Sequence, residues 1–229
     1  YDVDGITATC LLTDFLRRMG GKVISYIPGR LEEGYGLNPI AISYLHDQGV
    51  SLIVTVDCGI TAVAEAKLCR DLGMDLVITD HHVCKAELPQ AVAVVAPHRP
   101  GDGYPHQNLS GVGVAFKLAS AIWGSQEKAL EAYADFVCLG TVADVMLLQG
   151  ENRTFGSHGL DALAHTSRPG LAALMKEAGC DPAALSATSI GFVLAPRINA
   201  AGRMGKIQVA VDLFLSTDPV QAEKLAKEL

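Results

Sequence analysis

Four clusters of acidic and histidine side chains stand out in this sequence, because each offers ligands that divalent metal ions prefer. In chain order they are Asp2 with Asp4, then Asp57, then Asp80-His81-His82, and then Asp144. Carboxylates mixed with imidazoles suit Mn²⁺, and a site dominated by oxygen ligands suits Mg²⁺. Two such ions bridged by one carboxylate can hydrolyse phosphate esters, because one ion lowers the pKa of a water nucleophile while the pair neutralises charge on the phosphate.

The predicted strands place these clusters at one edge of a sheet. Asp57 directly follows the β-branched run at 51–56, and Asp80 directly follows the apolar run at 75–79. The carboxyl ends of parallel strands share one edge, where ligands bind. We therefore expect these clusters to meet the Asp2–Gly5 turn that opens the first helix, and Asp144 to reach the same cavity. Carboxylates brought this close repel one another, so we expect cations to neutralise them.

Each cluster also has an ordinary structural explanation when it is taken alone. Asp and Gly are common turn residues, so the Asp2–Gly5 turn is weak evidence of a metal site. Asp57 could cap the helix that follows its strand, and His81 and His82 could lie on the surface. The metal interpretation is favoured because the structural explanations would have to hold independently for three separate clusters.

The elements that must position the clusters form a repeating pattern in the first 97 residues. Strands are predicted over 22–27, 51–56, 75–79 and 91–95, with helices over 6–19, from Asn38-Pro39 onward, and over 61–72. Strands alternating with helices indicate βαβ units and a mainly parallel sheet. From about residue 110 the pattern is helical, over 113–123, 128–139, 153–164, 170–178, 189–194, 209–215 and 219–229. The predicted fold class is therefore α/β, with a parallel sheet flanked by helices and followed by a helical segment.

The net charge, the cysteine spacing and the length of the apolar runs argue against several classes of protein. A formal net charge of −7 argues against a broad basic surface for nucleic acid, but it allows phosphates to be met through metal ions that acidic residues hold. The 6 cysteines form no CxxC pair, so a reducing, cytoplasmic setting is predicted. Apolar runs such as 52–56 are too short to span a bilayer, and residues 1–5 have no signal-peptide pattern.

The ordered set of motifs resembles that of the DHH phosphoesterases. The four similar stretches are Asp2-Val3-Asp4-Gly5, Val56-Asp57-Cys58-Gly59, Asp80-His81-His82 and Gly140-Thr141-Val142-Ala143-Asp144-Val145. Within that superfamily the sequence most resembles the RecJ exonucleases, which act on single-stranded DNA. That closer resemblance rests on three further stretches, at 28–37, Gly111–Phe116 and Pro196–Arg203.

This resemblance implies a metal-dependent 5′→3′ exonuclease that uses two Mn²⁺ or Mg²⁺ ions and acts on single-stranded DNA in repair or recombination. Repair or replication proteins are the implied partners. The resemblance also implies a DHH catalytic domain over 1–150 and a helical extension over 151–229. That extension would begin the linker helix to a DHH-associated domain outside this sequence. We expect the sequence to be a piece of a longer chain, with a strand preceding Tyr1.

The resemblance assigns roles residue by residue. The implied metal ligands are Asp2, Asp4, Asp57, His81 and Asp144, with Asp57 as the bridge between two ions. Asp80 is implied as a catalytic residue that binds metal or orients His81. His82 corresponds to the family's phosphate-facing histidine, which stabilises the transition state or protonates the leaving oxygen.

Four further residues are implied to bind substrate. Arg30 resembles an arginine near the 5′-phosphate site, and Arg197, Asn199 and Arg203 lie in a stretch that lines the substrate cleft. A planar guanidinium can bind two phosphate oxygens at once, which a lysine cannot do. The structural alternative for Arg30 is an ion pair with Glu32 or Glu33.

Two other functions remain open at this level. One is a DHH phosphoesterase that cleaves cyclic dinucleotides, short oligonucleotides or pyrophosphate, although such enzymes lack a stretch like Pro196–Arg203. The other is a non-catalytic relative that serves as a binding module in a replication assembly. The intact set of metal ligands argues against the binding module, which would need no such set.

Overall fold

A parallel sheet of three strands forms one side of the site in the computed structural model of the chain, which describes residues 1–29 and 33–229. The strands are β1 (Leu52–Thr55), β2 (Asp75–Thr79) and β3 (Ala93–Val95), and they lie side by side in that order. Val54 pairs with Val77, and Val77 pairs in turn with Ala93. The α/β fold with a parallel sheet is therefore confirmed.

Three helices accompany these strands: α1 (Val3–Arg18), α2 (Pro39–Asp47) and α3 (Val63–Asp71). Asp2 caps α1, because its carboxylate accepts a hydrogen bond from the Gly5 amide at 3.0 Å. Asn38 caps α2 in the same way by accepting from the Ala41 amide at 2.8 Å, and Pro39 follows it at the first helical position. Both helix starts follow the usual preference for Asp, Asn and Pro at these positions.

The rest of the described chain is helical. The elements are α4 (Gly111–Trp123), α5 (Gln126–Ala143), α6 (Glu151–Ala164), α7 (Pro169–Glu177), a 3₁₀ turn (Pro182–Ala184), α8 (Ala187–Ser189), a π-helical turn (Ile190–Leu194), α9 (Ala195–Arg203), α10 (Ile207–Leu215) and α11 (Pro219–Glu228). None of the helices in the described residues is long and apolar enough to cross a membrane.

One buried apolar cluster joins α1, α4 and α5 to the helices that follow residue 150. Phe116 of α4 packs against Phe155 of α6 with ring centroids 5.1 Å apart, and Phe136 of α5 lies 5.8 Å from Phe214 of α10. These rings are at most 1% exposed, so the helical extension shares its core with the helices that present the site. The division into domains at residue 150 stays a prediction.

The predicted strand at 22–27 is wrong. These residues belong to no strand, and a cavity of about 920 Å³ is lined both by residues 21–28 and by β1. Leu12 and Leu16 of α1 line the same cavity. Residues 21–28 and β1 thus line one cavity, and no strand pairing joins them in the described structure. The β-branched side chains of 22–27 fit a strand, but that preference alone does not supply a hydrogen-bonding partner.

The other departure lies around Pro196, where no helix was predicted for 195–203. The structure has a helix there, α9, and the predicted helix at 189–194 is mostly a π-helical turn that leads into it. Proline lacks an amide hydrogen and clashes with the preceding helical turn. The wider π-helical turn just before Pro196 accommodates it, and such turns are frequent at functional sites.

Candidate metal centre and active site

The imidazole of His81 lies at the centre of three carboxylates. Its Nε2 atom is 3.1 Å from Asp57 Oδ1, 3.7 Å from Asp144 Oδ2 and 3.9 Å from Asp4 Oδ2. Asp57 follows β1 and His81 follows β2, so both lie at the sheet edge that their strand-end positions predict. Asp4 lies in the first turn of α1, and Asp144 is the C-cap of α5, so a helix end rather than a strand brings Asp144 to the site.

Asp4 is held by the N-terminus of α4. Its Oδ2 accepts a hydrogen bond from the Gly111 amide at 2.6 Å, and its Oδ1 accepts one from the Val112 amide at 2.8 Å. The free amides and the dipole at a helix N-terminus stabilise such an anion. Gly140 leaves room for it, since a Cβ atom there would lie 2.8 Å from Asp4 Oδ1. The Gly111–Phe116 stretch is recognisable in the sequence as a motif, but its residues do not indicate this role.

Asp57 adopts a strained backbone conformation with φ of +56°. An L-residue in this left-handed region pays on the order of 1–2 kcal/mol, and such strain is concentrated at functional sites. The side chain is buried, and its Oδ1 accepts no well-formed hydrogen bond among the described residues. A buried carboxylate oxygen with no well-formed hydrogen bond, beside two further carboxylates and the His81 imidazole, fits a cation site.

The electrostatics of the cluster favour a cation. Burial, reinforced by Asp57, raises the pKa of Asp4 well above its usual range. Burial also raises the pKa of Asp57 and of Asp144, although His81 opposes both shifts. Burial alone would lower the pKa of His81, but contact with Asp57 and the charges of Asp4 and Asp144 raise it to about 9. In the absence of a metal ion, a proton on His81 therefore partly neutralises the carboxylates.

Metal binding is expected to release this proton. A histidine must be neutral to ligate a metal ion, and a pKa of about 9 keeps His81 protonated at neutral pH. The affinity for Mg²⁺ should therefore rise between pH 7 and pH 9 and level off above that. Titration calorimetry in two buffers of different ionisation enthalpy measures the protons released per ion. A proton count of zero at pH 7.5 would contradict this account.

Asp80 orients its neighbours. Its Oδ1 accepts hydrogen bonds from the His81 amide at 2.8 Å, the His82 amide at 3.2 Å and His82 Nδ1 at 2.7 Å, while its Oδ2 accepts from the Ile60 amide at 2.9 Å. Burial alone would raise the pKa of Asp80, but these hydrogen bonds outweigh burial and lower it. With both oxygens engaged, the carboxylate fixes the ring of His82 and the backbone of His81.

His82 is half-exposed and presents its other ring nitrogen away from Asp80. The hydrogen bond to Asp80 raises the pKa of His82, although partial burial opposes that shift. An imidazole held through Nδ1 by a buried carboxylate can carry a proton on Nε2. Such a pair is chemically able to donate a proton.

Two overlapping groups of side chains could each hold a metal ion. The ligand atoms of Asp57, His81 and His82 lie within 4.8 Å of one another, and so do those of Asp4, His81 and Asp144. Asp2 belongs to neither group among the described residues. Its carboxylate caps α1, and its charge contributes to the raised pKa of Asp57, so it borders the centre.

The structure describes three of the four predicted substrate-binding residues. The fourth, Arg30, lies outside the described residues. Arg197, Asn199 and Arg203 lie on α9, where the Asn199 amide oxygen accepts a hydrogen bond from the Val3 amide at 3.2 Å. Asn199 therefore fastens α9 to the turn between Asp2 and Asp4. Arg197 is half-buried and Arg203 is exposed.

Comparisons with known proteins agree with this geometry. Residues 1–141 match the family described as the DHH family, N-terminal domain. The chain is 45% identical over 229 residues to the single-stranded-DNA-specific exonuclease RecJ of Bacillus subtilis, covering 100% of this chain and 29% of that protein. It is 39% identical over 243 residues to the RecJ of Escherichia coli, covering 100% of this chain and 42% of that one. The chain thus spans less than half the length of these curated relatives.

Solved structures give the same result. A crystal structure of exonuclease RecJ bound to manganese matches with a TM-score of 0.89 and 37% identity, over 100% of this chain and 58% of that one. RecJ from Thermus thermophilus in complex with Mn²⁺ matches with a TM-score of 0.85 and 34% identity, over 100% of this chain and 33% of that one. Because the family match covers 141 of the 229 residues, the chain belongs to the DHH family.

Proposed function

We propose that this chain is the catalytic part of an enzyme that hydrolyses phosphodiester bonds in single-stranded DNA, acting as a 5′→3′ exonuclease. The observation that carries the proposal is the convergence of Asp4, Asp57 and Asp144 on His81. The RecJ relatives, named as single-stranded-DNA-specific exonucleases, supply the substrate class and match the chain over its whole length.

Two divalent ions, Mn²⁺ or Mg²⁺, are the proposed cofactors. Asp4, Asp57, His81 and Asp144 would hold them, with Asp57 as the shared ligand and Asp2 at the border of the site. When bound, such ions activate a water molecule and neutralise charge on the attacked phosphate. The buried Oδ1 of Asp57, which accepts no well-formed hydrogen bond, and the mixture of oxygen and nitrogen donors fit this group.

The protein's own residues supply orientation and a proton. His82, held by Asp80, would protonate the leaving oxygen through its outward ring nitrogen. Arg30, Arg197, Asn199 and Arg203 are proposed to bind the DNA, with Arg30 at the terminal 5′-phosphate. Because the net charge is −7, we propose that the DNA meets this chain through the ions and these few side chains. A cytoplasmic enzyme that works with repair or replication proteins is the corresponding biological setting.

Cleavage assays with the full-length protein test the proposal. The substrates are 3′-labelled single-stranded DNA, the same sequence as a duplex, a cyclic dinucleotide and pyrophosphate, each with and without Mn²⁺. We expect Mn²⁺-dependent loss of nucleotides from the 5′ end of the single strand and much slower cleavage of the other three substrates. Preferential hydrolysis of the cyclic dinucleotide or pyrophosphate would contradict the proposal and favour another DHH phosphoesterase activity.

Replacing His82 with Ala is expected to lower the turnover of single-stranded DNA by about 10²–10⁴-fold, since that is the usual contribution of a positioned acid or base. The loss should be the same for strands with a 5′-phosphate and a 5′-hydroxyl, because His82 acts at the phosphate being cleaved. Single-turnover kinetics on both strands measures it. A loss confined to one kind of strand would show that His82 recognises the end instead.

Replacing Arg30 with Ala should instead weaken the discrimination between 5′-phosphorylated and 5′-hydroxyl strands. A contact made equally in the ground state and the transition state changes binding more than turnover. Arg30→Lys keeps the charge without the paired donors and should restore only part of the preference. All assays need one stated salt concentration, because phosphate contacts are sensitive to salt. A full preference in Arg30→Ala would leave Arg30 a role only in ordering its own loop.

A further inference from the structure

The turn that presents Asp57 is held from outside by a tyrosine. The hydroxyl of Tyr35 donates a hydrogen bond to the backbone carbonyl of Asp57, with an O···O distance of 2.6 Å. Tyr35 lies 22 residues before Asp57 in the chain and on a different loop. The contact therefore joins two segments that are otherwise separated by α2 and β1.

The loop that carries Tyr35 is itself anchored. The Glu33 carboxylate accepts hydrogen bonds from the Gly29 amide at 3.0 Å, the Tyr26 hydroxyl at 2.7 Å and the Asn38 side-chain amide at 3.3 Å. These three bonds tie the loop to the segment before it and to the start of α2. The backbone close to Tyr35 is thus held in place by the three hydrogen bonds of Glu33.

The backbone that receives this hydrogen bond is the strained one. Asp57 has a φ of +56°, a conformation that persists only where its surroundings enforce it. The neighbouring carbonyl, that of Cys58, accepts from the Thr55 hydroxyl at 2.8 Å, and the Ile60 amide donates to Asp80 at 2.9 Å. Each end of the turn is therefore held from within the sheet, whereas Asp57 itself is held by Tyr35.

We propose that Tyr35 is a positioning residue: its hydroxyl holds the carbonyl of Asp57 so that the left-handed backbone aims the carboxylate at His81. The inference rests on the proposed metal-dependent function, because it concerns the alignment of a proposed metal ligand. The backbone carbonyl and the side-chain carboxylate of Asp57 are linked through a single Cα atom, with only a few rotatable bonds between them. A rotation of the Asp57 backbone that follows loss of the hydrogen bond would therefore displace the carboxylate oxygens.

The ring of Tyr35 makes contacts that do not need the hydroxyl. It lies edge-on to Tyr1, with centroids 6.1 Å apart, and edge-on to His82, with centroids 6.0 Å apart. Phenylalanine would keep both ring contacts. The substitution Tyr35→Phe therefore removes the hydrogen bond alone, and since the side chain is 55% exposed it leaves no buried gap.

The test is the Mn²⁺ affinity of Tyr35→Phe, measured by titration calorimetry on the full-length protein. Residues that orient metal ligands typically change affinity 10–100-fold when replaced, and we expect a loss of about 10-fold here. In the full-length protein, kcat should fall while KM for single-stranded DNA stays the same. The unfolding temperature without metal should fall no further in Tyr35→Phe than in Tyr104→Phe, because each variant loses one tyrosine hydrogen bond.

Tyr104→Phe is the matched control. The Tyr104 hydroxyl also makes a 2.6 Å hydrogen bond, but to the Glu151 carboxylate on α6, so its loss should leave the Mn²⁺ affinity unchanged. Two results would overturn the inference. They are unchanged Mn²⁺ affinity in Tyr35→Phe, whatever its unfolding temperature, and an equal loss of affinity in Tyr104→Phe. If the unsubstituted protein binds no Mn²⁺, the proposed function fails as well, so the two failures are distinguishable.

Discussion

Replacing Asp57 with Asn is expected to reduce phosphodiester cleavage by the full-length protein by more than about 100-fold, since even residues that only orient metal ligands cost 10–100-fold. Asparagine is the informative substitution because it tolerates the left-handed backbone of Asp57, which alanine does not. The variant therefore removes the charge and keeps the shape. Mn²⁺ affinity, measured by calorimetry, should fall together with turnover.

The stability of the folded Asp57→Asn variant without metal, unlike its turnover, should not fall. Folding raises the pKa of Asp57, so the ionised carboxylate opposes folding above that pKa and the neutral amide does not. Without metal, the unfolding temperature at pH 8 should be no lower than that of the unsubstituted protein. Asp71→Asn is the control, because Asp71 lies in a solvent-exposed ion pair with Lys67 and outside the carboxylate cluster around His81. Turnover of Asp57→Asn within tenfold of the original would contradict a bridging role.

Replacing Gly111 with Ala is expected to reduce turnover and Mn²⁺ affinity to a similar extent, although Gly111 has no side chain that could take part in catalysis. A Cβ atom at this position would lie 2.5 Å from the Cβ atom of Asp57, so one of the two segments must shift. Movement of Asp57 displaces a proposed metal ligand, and movement of α4 breaks the hydrogen bond from the Gly111 amide to Asp4. A misplacement of about 1 Å can cost about 10²-fold in rate. We therefore expect losses of turnover and of Mn²⁺ affinity of about 100-fold.

Gly113→Ala is the matched control on the same helix. Its nearest neighbour would be the Ser110 hydroxyl at 3.4 Å, an ordinary contact distance. Alanine also favours a helix over glycine by up to about 1 kcal/mol, so this variant should be active and no less stable. Equal Mn²⁺ affinities of Gly111→Ala and Gly113→Ala would show that the N-terminus of α4 does not position the proposed metal ligands.

The sequence predicts the part of the site that depends on regular structure. Asp57 and His81 follow apolar runs that become β1 and β2, and parallel strands must end at a common edge. The prediction for the segment 22–27 fails because strand propensity contains no information about the neighbour. In the structure these residues line a cavity together with β1 and belong to no strand.

Other features depend on contacts between distant parts of the chain. The Gly111 amide reaches Asp4 across 107 positions, and nothing in either local pattern indicates that approach. The Tyr35 hydrogen bond to Asp57 is equally invisible in the sequence. The sequence left Asp80 either as a ligand or as an orienting residue, and its four hydrogen bonds favour the orienting role.

Anomalous diffraction at the manganese edge, from crystals of this chain soaked in Mn²⁺, tests most directly whether Asp4, Asp57, His81 and Asp144 form one metal centre. Two anomalous peaks are expected in contact with these side chains, about 3.5–4 Å apart as in other two-metal sites, with the Asp57 carboxylate touching both. The same soak of Asp57→Asn crystals should lose at least one peak. Manganese bound only elsewhere on the chain, or two peaks that persist in Asp57→Asn, would contradict the account.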